Sequence, residues 1–462
     1  MTLHPEISSL VLNYNKISEV GPASFQFHPE LRLVNLAHSN LSSLQDKTFE
    51  AQRRLLELNL SHNQIGAVER FTFFGLVSLN SLDLSFNSLE VLQAEVFNHM
   101  PNLAVLNLAS NRIREIDPRA FLGLGSLQVL SLDNNRVETI LEEVWDSLPN
   151  VRELILTRNR LNHLSLRSLT SLETLDISDN SGINISSLLV FAAPTLRSVN
   201  LSGLGLEQLP THLFPFLSNL ETLNFNGNNF TKISNNAFKG LKRLKYLQIT
   251  GNPMLETVDS EAFVDTRGLV KLTISNNRLL TELDPNIFIY LPNLAELNLE
   301  NNQFSSLLPR IEDSVEVLHI SGNPWLCDCN LQELQTLAAR RNLSLVCSGP
   351  ENLAGRSILD LDLSSCLSTQ GLAGQDRDGK EVTLVIILSV VLTLSLLISG
   401  LLVFHYRSRV QGLLKGLGWR KQAPKEAQYR PEYQRSFIQH EEYFISLNRQ
   451  TDQTRHIPVT EL

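Results

Sequence analysis

The first 326 residues contain no cysteine, and the whole 462-residue chain has only four, all between positions 327 and 366. No disulfide framework or thiolate metal site can therefore organise the body of the protein. Catalytic signatures are missing as well. The chain has no G-x-x-x-x-G-K, G-x-G-x-x-G, H-E-x-x-H or G-x-S-x-G, and its histidines and acids are scattered. Neither an enzyme, a metal site nor a cofactor is expected. Positive charge is scarce too. The net charge is −9, and because residues 405–462 carry ten Lys/Arg against six Asp/Glu, the part before them stands at −13. That balance argues against nucleic acid as a partner. Met1-Thr-Leu-His-Pro-Glu6 has no charged-then-apolar leader. A natural start further upstream is expected, with a signal peptide and a cap, which leaves the total repeat number open.

What the chain does have is a period. The pattern Leu-x-x-Leu-x-Leu-x-x-Asn-x-Leu begins at Ile7 and returns at Leu31, Leu55, Leu79, Leu103, Leu127 and Val151. It continues at Leu172, Leu196, Leu220, Leu244, Leu269, Leu294 and Val315. These 14 copies are 24 residues apart over six consecutive steps and 21 to 25 apart thereafter. Such spacing is the mark of a solenoid, which offers one long surface and favours binding over catalysis. The alternating leucines predict a short strand per repeat, stacked into a parallel sheet about 65 Å long at roughly 4.8 Å per strand. The Asn that follows (Asn15, Asn63, Asn87, Asn111, Asn135, Asn159, Asn180, Asn228, Asn252, Asn277, Asn302, Asn323) turns the chain away. Ser39 and Leu204 replace it in two repeats, where a weaker ladder is expected.

A second register supports the first. Phe25, Phe49, Phe73, Phe97, Phe121 and Trp145 are 24 residues apart, and Phe214, Phe238, Phe263 and Phe288 resume the series. They predict a ring spine under the convex side, interrupted between Trp145 and Phe214 with a change of curvature. The slot before each ladder Asn is assigned to the concave face and holds Tyr14, His38, His62 and Phe86, and later Arg158 and Asp179. An aromatic stripe suits protein contact, although solvent-facing slots also vary freely. Glu153, Arg158, Glu173 and Asp179 form a mixed-charge patch, read as a solvated face in preference to a contact site. Six N-x-S/T sequons occur, at Asn40, Asn59, Asn184, Asn200, Asn229 and Asn342, of which Asn59 and Asn200 point to the concave side.

Residues 382–404 form an uncharged run of 23, long enough to span a bilayer. Acids precede it and bases follow, which predicts a type I plasma-membrane topology with the repeats outside. The organisation expected is a solenoid over 1–323, a cysteine-rich cap over 324–366, a linker over 367–381, the span, and a disordered tail over 405–462. Tyr443 follows two glutamates, and Thr460 and Leu462 match a ligand for PDZ-type scaffolds.

Asn323-Pro-Trp-Leu-Cys-Asp-Cys329 resembles the C-terminal cap of extracellular leucine-rich-repeat proteins, and residues 7–366 resemble that family. The resemblance implies an α/β, right-handed horseshoe with a concave parallel sheet, in which the ladder Asn amides bond to backbone groups. It also implies Cys327–Cys347 and Cys329–Cys366 pairing, one of three connectivities the sequence allows. A 58-residue tail is too short for the signalling domain of Toll-like receptors. Repeats, one span and a short tail look more like adhesion and guidance members of the Capricious and Tartan kind. The function expected is recognition of an extracellular or cell-surface protein, with homodimerisation compatible and a cytoplasmic PDZ scaffold as second partner. The alternatives are a receptor or co-receptor for a soluble ligand and a structural matrix-type protein.

Overall fold

The computed structural model describes residues 7–185, 195–284, 286–306 and 315–362. All the described residues belong to one compact unit within Met1–Cys366. Cys366, the proposed span 382–404, Tyr443, Thr460 and Leu462 lie outside them.

Fourteen three-residue strands, from Ser9–Val11 to Val317–His319, form one parallel sheet in chain order. The central residue of each strand pairs with the central residue of the next: Leu10 with Val34, Val34 with Leu58, Leu58 with Leu82, and so on to Leu318. Side chains alternate along a strand, so these central residues and the leucine two further on point inward. Leu82 and Leu84 are fully buried. Each such residue adds roughly 1.5–3 kcal/mol. No repeat can bury its own apolar face, so stability comes from stacking.

The 21-residue step from Val151 to Leu172 leaves this register untouched, since Leu154 pairs with Leu175 in frame. The missing residues come out of the returning loop. There, each ring carbonyl accepts a hydrogen bond from the N–H three residues on, as Phe121 does from Leu124 (3.1 Å) and Trp145 from Leu148 (2.9 Å). In the short repeat Leu166 takes this place, accepting from Leu169 at 3.1 Å, so an aliphatic side chain fills the ring's slot. Ring contacts run from Phe25 to Phe49, from Phe73 through Phe97 to Phe121, and from Phe214 through Phe238 to Phe263. The expected spine is thus segmented. The expected α/β class is realised as a β-solenoid whose returning segments are mostly turns, with short helical stretches such as Glu142–Ser147. Among the described residues the α-helices are Pro22–Phe25 and Gln332–Arg341.

Each interior ladder amide bridges two repeats. Asn63 accepts the Leu41 N–H on Oδ1 and donates through Nδ2 to the Leu36 and Leu60 carbonyls, all at 3.0 Å. Asn87, Asn111, Asn135 and Asn159 repeat the pattern. Later, the oxygen instead takes the N–H of the preceding ladder asparagine, as Asn252 does from Asn228 (2.8 Å) and Asn277 from Asn252 (2.9 Å). The two exceptions leave gaps: the Ser39 hydroxyl is buried without a partner, and Leu204 is a buried aliphatic.

The end of the stack is sealed by the segment after Asn323. Trp325, Leu331, Leu334, Ala338, Leu345 and Ile358 are buried there, and Arg341 donates to the Val315 carbonyl of the last repeat. Cys327 and Cys347 form the expected disulfide. Cys329 is also disulfide-bonded.

Candidate functional site

The slot before the ladder position adopts one backbone conformation in all fourteen repeats. Tyr14, His38, His62, Phe86, Ser110, Asn134, Arg158, Asp179, Asn276 and Asn301 have φ between 51° and 58°, and Gly203, Gly227, Gly251 and Gly322 lie between 63° and 72°. The cause is local. The chain must turn out of the strand so that the next residue enters the core, while the slot's own N–H still reaches the neighbouring repeat. Tyr14 donates to the Ala37 carbonyl (3.0 Å), His38 to Ser61 (3.1 Å), His62 to Ser85 (3.0 Å) and Phe86 to Ala109 (2.9 Å). Left-handed backbone costs an L-residue about 1–2 kcal/mol, and Gly, Asn and Asp bear it best. Histidine is tolerated there better than most residues, but a tyrosine and a phenylalanine are poor choices for stability at these positions.

Those four side chains nevertheless form a continuous stack. Ring centroids are 4.3 Å apart for Tyr14–His38, 4.0 Å for His38–His62 and 4.1 Å for His62–Phe86, with planes within 8–12°. Tyr14 is 73% and Phe86 49% exposed, whereas the histidines between them are half-buried. Because inner ring faces cover one another, a partner meets ring edges, the Tyr14 hydroxyl and imidazole nitrogens. The His62 imidazole has its pKa lowered below 6.5, first by burial and then by His38, against an opposing pull from Asp83. Such a stack offers rigid amphipathic contact at little entropic cost.

The slot lies three residues past the last strand residue, as Phe86 follows the strand Ser81–Asp83, and its N–H carries the inter-repeat ladder one step beyond the strand, as Phe86 does to Ala109. Where glycines empty the column near its other end, a cleft of about 790 Å³ opens beside Gly251, Asn276, Arg278 and Asn301.

The proposed mixed-charge patch separates into two rows. Arg158 and Asp179 belong to the ring column and face each other at 3.5 Å. Glu173 belongs to an alternating row that precedes the strands: Arg152–Glu173 (3.5 Å), Glu173–Arg197 (3.9 Å), Arg197–Glu221 (3.0 Å) and Glu221–Lys245 (2.7 Å). The Glu221 carboxyl is held below its usual range by the hydrogen bond and charge of Lys245, and further by Arg197. Glu153 joins no ion pair among the described residues. The row could have been read from charges recurring at 21- to 24-residue intervals.

A second asparagine column also escaped the sequence reading. Asn35, Asn59, Asp83, Asn107, Asp176, Asn200, Asn224 and Asn298 end their strands, and each Oδ1 accepts the N–H two residues on. This caps the strand before the left-handed turn. Two sequon residues belong to it: Asn59 and Asn200 are half-buried last residues of their strands, and Asn200 also donates to Asp176 at 2.9 Å. Asn40, Asn184 and Asn229 are exposed in returning segments, and Asn342 follows the helix Gln332–Arg341 with φ 52°. On the return side, Phe71 and Phe74 surround His99, with centroids 5.8 and 4.9 Å away. Burial, then Arg70, lowers the His99 pKa against the pull of Glu95.

No helix among the described residues is long and apolar enough to cross a membrane, and no group of three or more potential metal ligands occurs among them. No curated protein matches the sequence. Solved structures do match in shape. TLR13, from a complex with ssRNA13, aligns over 78% of this chain and 54% of its own at 24% identity and a TM-score of 0.67. Drosophila Toll, from a complex with Spatzle, aligns over 78% and 58% at 23% identity and 0.59. The functional domain of InlJ from Listeria monocytogenes aligns over 74% and 68% at 18% identity and 0.53. The chain thus spans little more than half the length of the first two, and at these identities the likeness speaks to fold alone. The leucine rich repeat family model matches residues 29–89, 78–137, 126–181, 194–254 and 254–304. With more than half its length matched and the strand, ladder and turn of each repeat in place, the chain belongs to the leucine-rich-repeat family.

Proposed function

We propose that this protein is a cell-surface recognition receptor that binds another protein through its solenoid, with the Tyr14–His38–His62–Phe86 stack at the centre of contact. The observation that carries this reading is the choice of residues. Four repeats of the same column use glycine, whereas these four hold large rings in left-handed backbone and leave them at the surface. Three ring pairs return about 0.5–1.5 kcal/mol each, against about 1–2 kcal/mol lost at each of four backbones. Fold stability therefore gives little reason for the rings. Exposed rigid aromatics are typical of interface hot spots.

In this reading the span 382–404 anchors the chain in the plasma membrane and the tail recruits a scaffold through Thr460 and Leu462, with Tyr443 as an adaptor site. Among similar structures, the one solved with Spatzle is a precedent for a protein ligand. The acidic chain before residue 405 favours that over RNA. Cells expressing the protein should aggregate, or bind a second expressing population, and should stop doing so when His62 and Phe86 become glycine. Capture of a secreted protein without aggregation would favour the soluble-ligand receptor instead. Aggregation that ignores both substitutions would remove the ring stack from the account.

A further inference from the structure

The position directly after the ladder slot carries arginine in three successive repeats, Arg112, Arg136 and Arg160, with Ser88 before the row and Ser181 after it. All three arginines are exposed. Their backbones are fixed in line, each N–H donating to a carbonyl one repeat back: Arg112 to Leu89 (2.9 Å), Arg136 to Ile113 (2.8 Å) and Arg160 to Val137 (2.9 Å). The row therefore repeats at the strand spacing, about 4.8 Å.

Most arginines nearby are neutralised. Arg114 faces Glu90, Arg119 faces Glu95, Arg152 faces Glu173 and Arg158 faces Asp179. Arg112, Arg136 and Arg160 join no ion pair among the described residues. The acids close to them in sequence do not relieve them. Glu138 joins no ion pair either, and Asp133 accepts from the Ser131 hydroxyl at 2.5 Å. Three like charges in register, in a chain that is acidic before residue 405, form a local positive row to which an anionic ligand is drawn.

We propose that this row is a binding site for a linear sulfated polysaccharide. Guanidinium groups take sulfate-type oxygens in paired hydrogen bonds, and a chain with closely repeated charges can follow the row. Besides the Glu138 and Asp133 carboxylates, the immediate neighbours are hydroxyls and amides: Ser110 and Asn134, bonded to each other at 3.0 Å, and Asn162, bonded to Thr139 at 3.2 Å. No exposed ring lies among them to stack a nucleic-acid base, and no apolar centre to anchor a folded protein.

The test is fluorescence anisotropy of a labelled heparin dodecasaccharide with the full chain in non-ionic detergent. Serine already occupies this position in adjacent repeats, so a variant carrying Arg112→Ser, Arg136→Ser and Arg160→Ser should fold, with an unchanged melting midpoint as control. Its affinity should fall at least about tenfold and its salt dependence should flatten, as expected when charge contacts to a polyanion are lost. The desulfated dodecasaccharide should not bind, inorganic sulfate at matched concentration should not compete, and Phe86→Gly should leave binding unchanged. The last arm separates this site from the protein-recognition reading. Equal affinity of the triple variant overturns the proposal. So does equal binding of the desulfated sugar, competition by free sulfate, or preference for polyglutamate or single-stranded DNA of the same charge.

Discussion

Removing one ladder amide, by Asn111→Ala, tests how the repeats are joined. Asn111 Nδ2 donates to the Leu84 and Leu108 carbonyls at 3.0 Å, and Oδ1 accepts the Leu89 N–H at 3.0 Å. The two carbonyls keep a second amide each, Leu84 from Asn87 and Leu108 from Asn135. The Leu89 N–H has no such replacement. The loss is therefore one buried orphan donor, about 1–3 kcal/mol, plus two shared bonds at about 0.5 kcal/mol each, or roughly 3 kcal/mol in all. Asn15→Ala is the internal comparison: this amide is exposed and bonds only to Leu12 and Asn13 of its own repeat, so under about 1 kcal/mol is expected. Solenoids need not unfold in two states, so the assay is native-state hydrogen exchange on the full chain, followed on peptides containing Leu89. Protection there should drop by about two orders of magnitude in Asn111→Ala, with little change in Asn15→Ala. Equal effects of the two substitutions, or none at Leu89, would refute the reasoning.

Filling the gap in the second repeat with Ser39→Asn supplies a donor to the Leu36 carbonyl and should raise stability by about 1 kcal/mol; a lower melting midpoint counts against it. Gly203 sits at φ +64°, and a Cβ there would come within 2.2 Å of the Asp179 carboxylate. Gly203→Ala should therefore destabilise by about 1–2 kcal/mol, whereas Gly66→Ala, with open space and no positive φ, should not. The His62 pKa is lowered, so the folded state prefers the neutral imidazole. Its contribution is complete above the ordinary value near 6.5 and is lost as pH falls through the depressed one. An NMR titration should place His62 below 6.5 and show an upward move in His38→Gln; a midpoint at or above 6.5 in the parent chain contradicts this.

Much of the fold was legible in the sequence because a solenoid writes its architecture into spacing. Leu82 and Leu84, Asn87 and Phe97 each have a register of their own. Legibility failed where geometry, not period, decides. The residue type at Tyr14 or His62 does not disclose left-handed backbone, which arises because the chain must leave the strand while keeping its N–H on the neighbour. Glu173 and Asp179 are six residues apart in sequence, yet the strand Thr174–Asp176 stands between them and puts them in different charge rows. Leu166 fills the ring slot without being aromatic, so its role was invisible until the turn that accepts its side chain was seen.

The central claim is that the exposed rings serve recognition and not folding. The most direct measurement replaces Tyr14, His38, His62 and Phe86 together with glycine, the residue four sister repeats use, and records melting midpoint and cell–cell binding on the same preparations. The account predicts a midpoint within a few degrees of the parent chain, because the relief of four left-handed backbones offsets three lost stacking contacts and the larger unfolded-chain entropy of four glycines, about 0.5–1 kcal/mol each, together with loss of binding. A large drop in the midpoint, or intact binding at an unchanged midpoint, would contradict it.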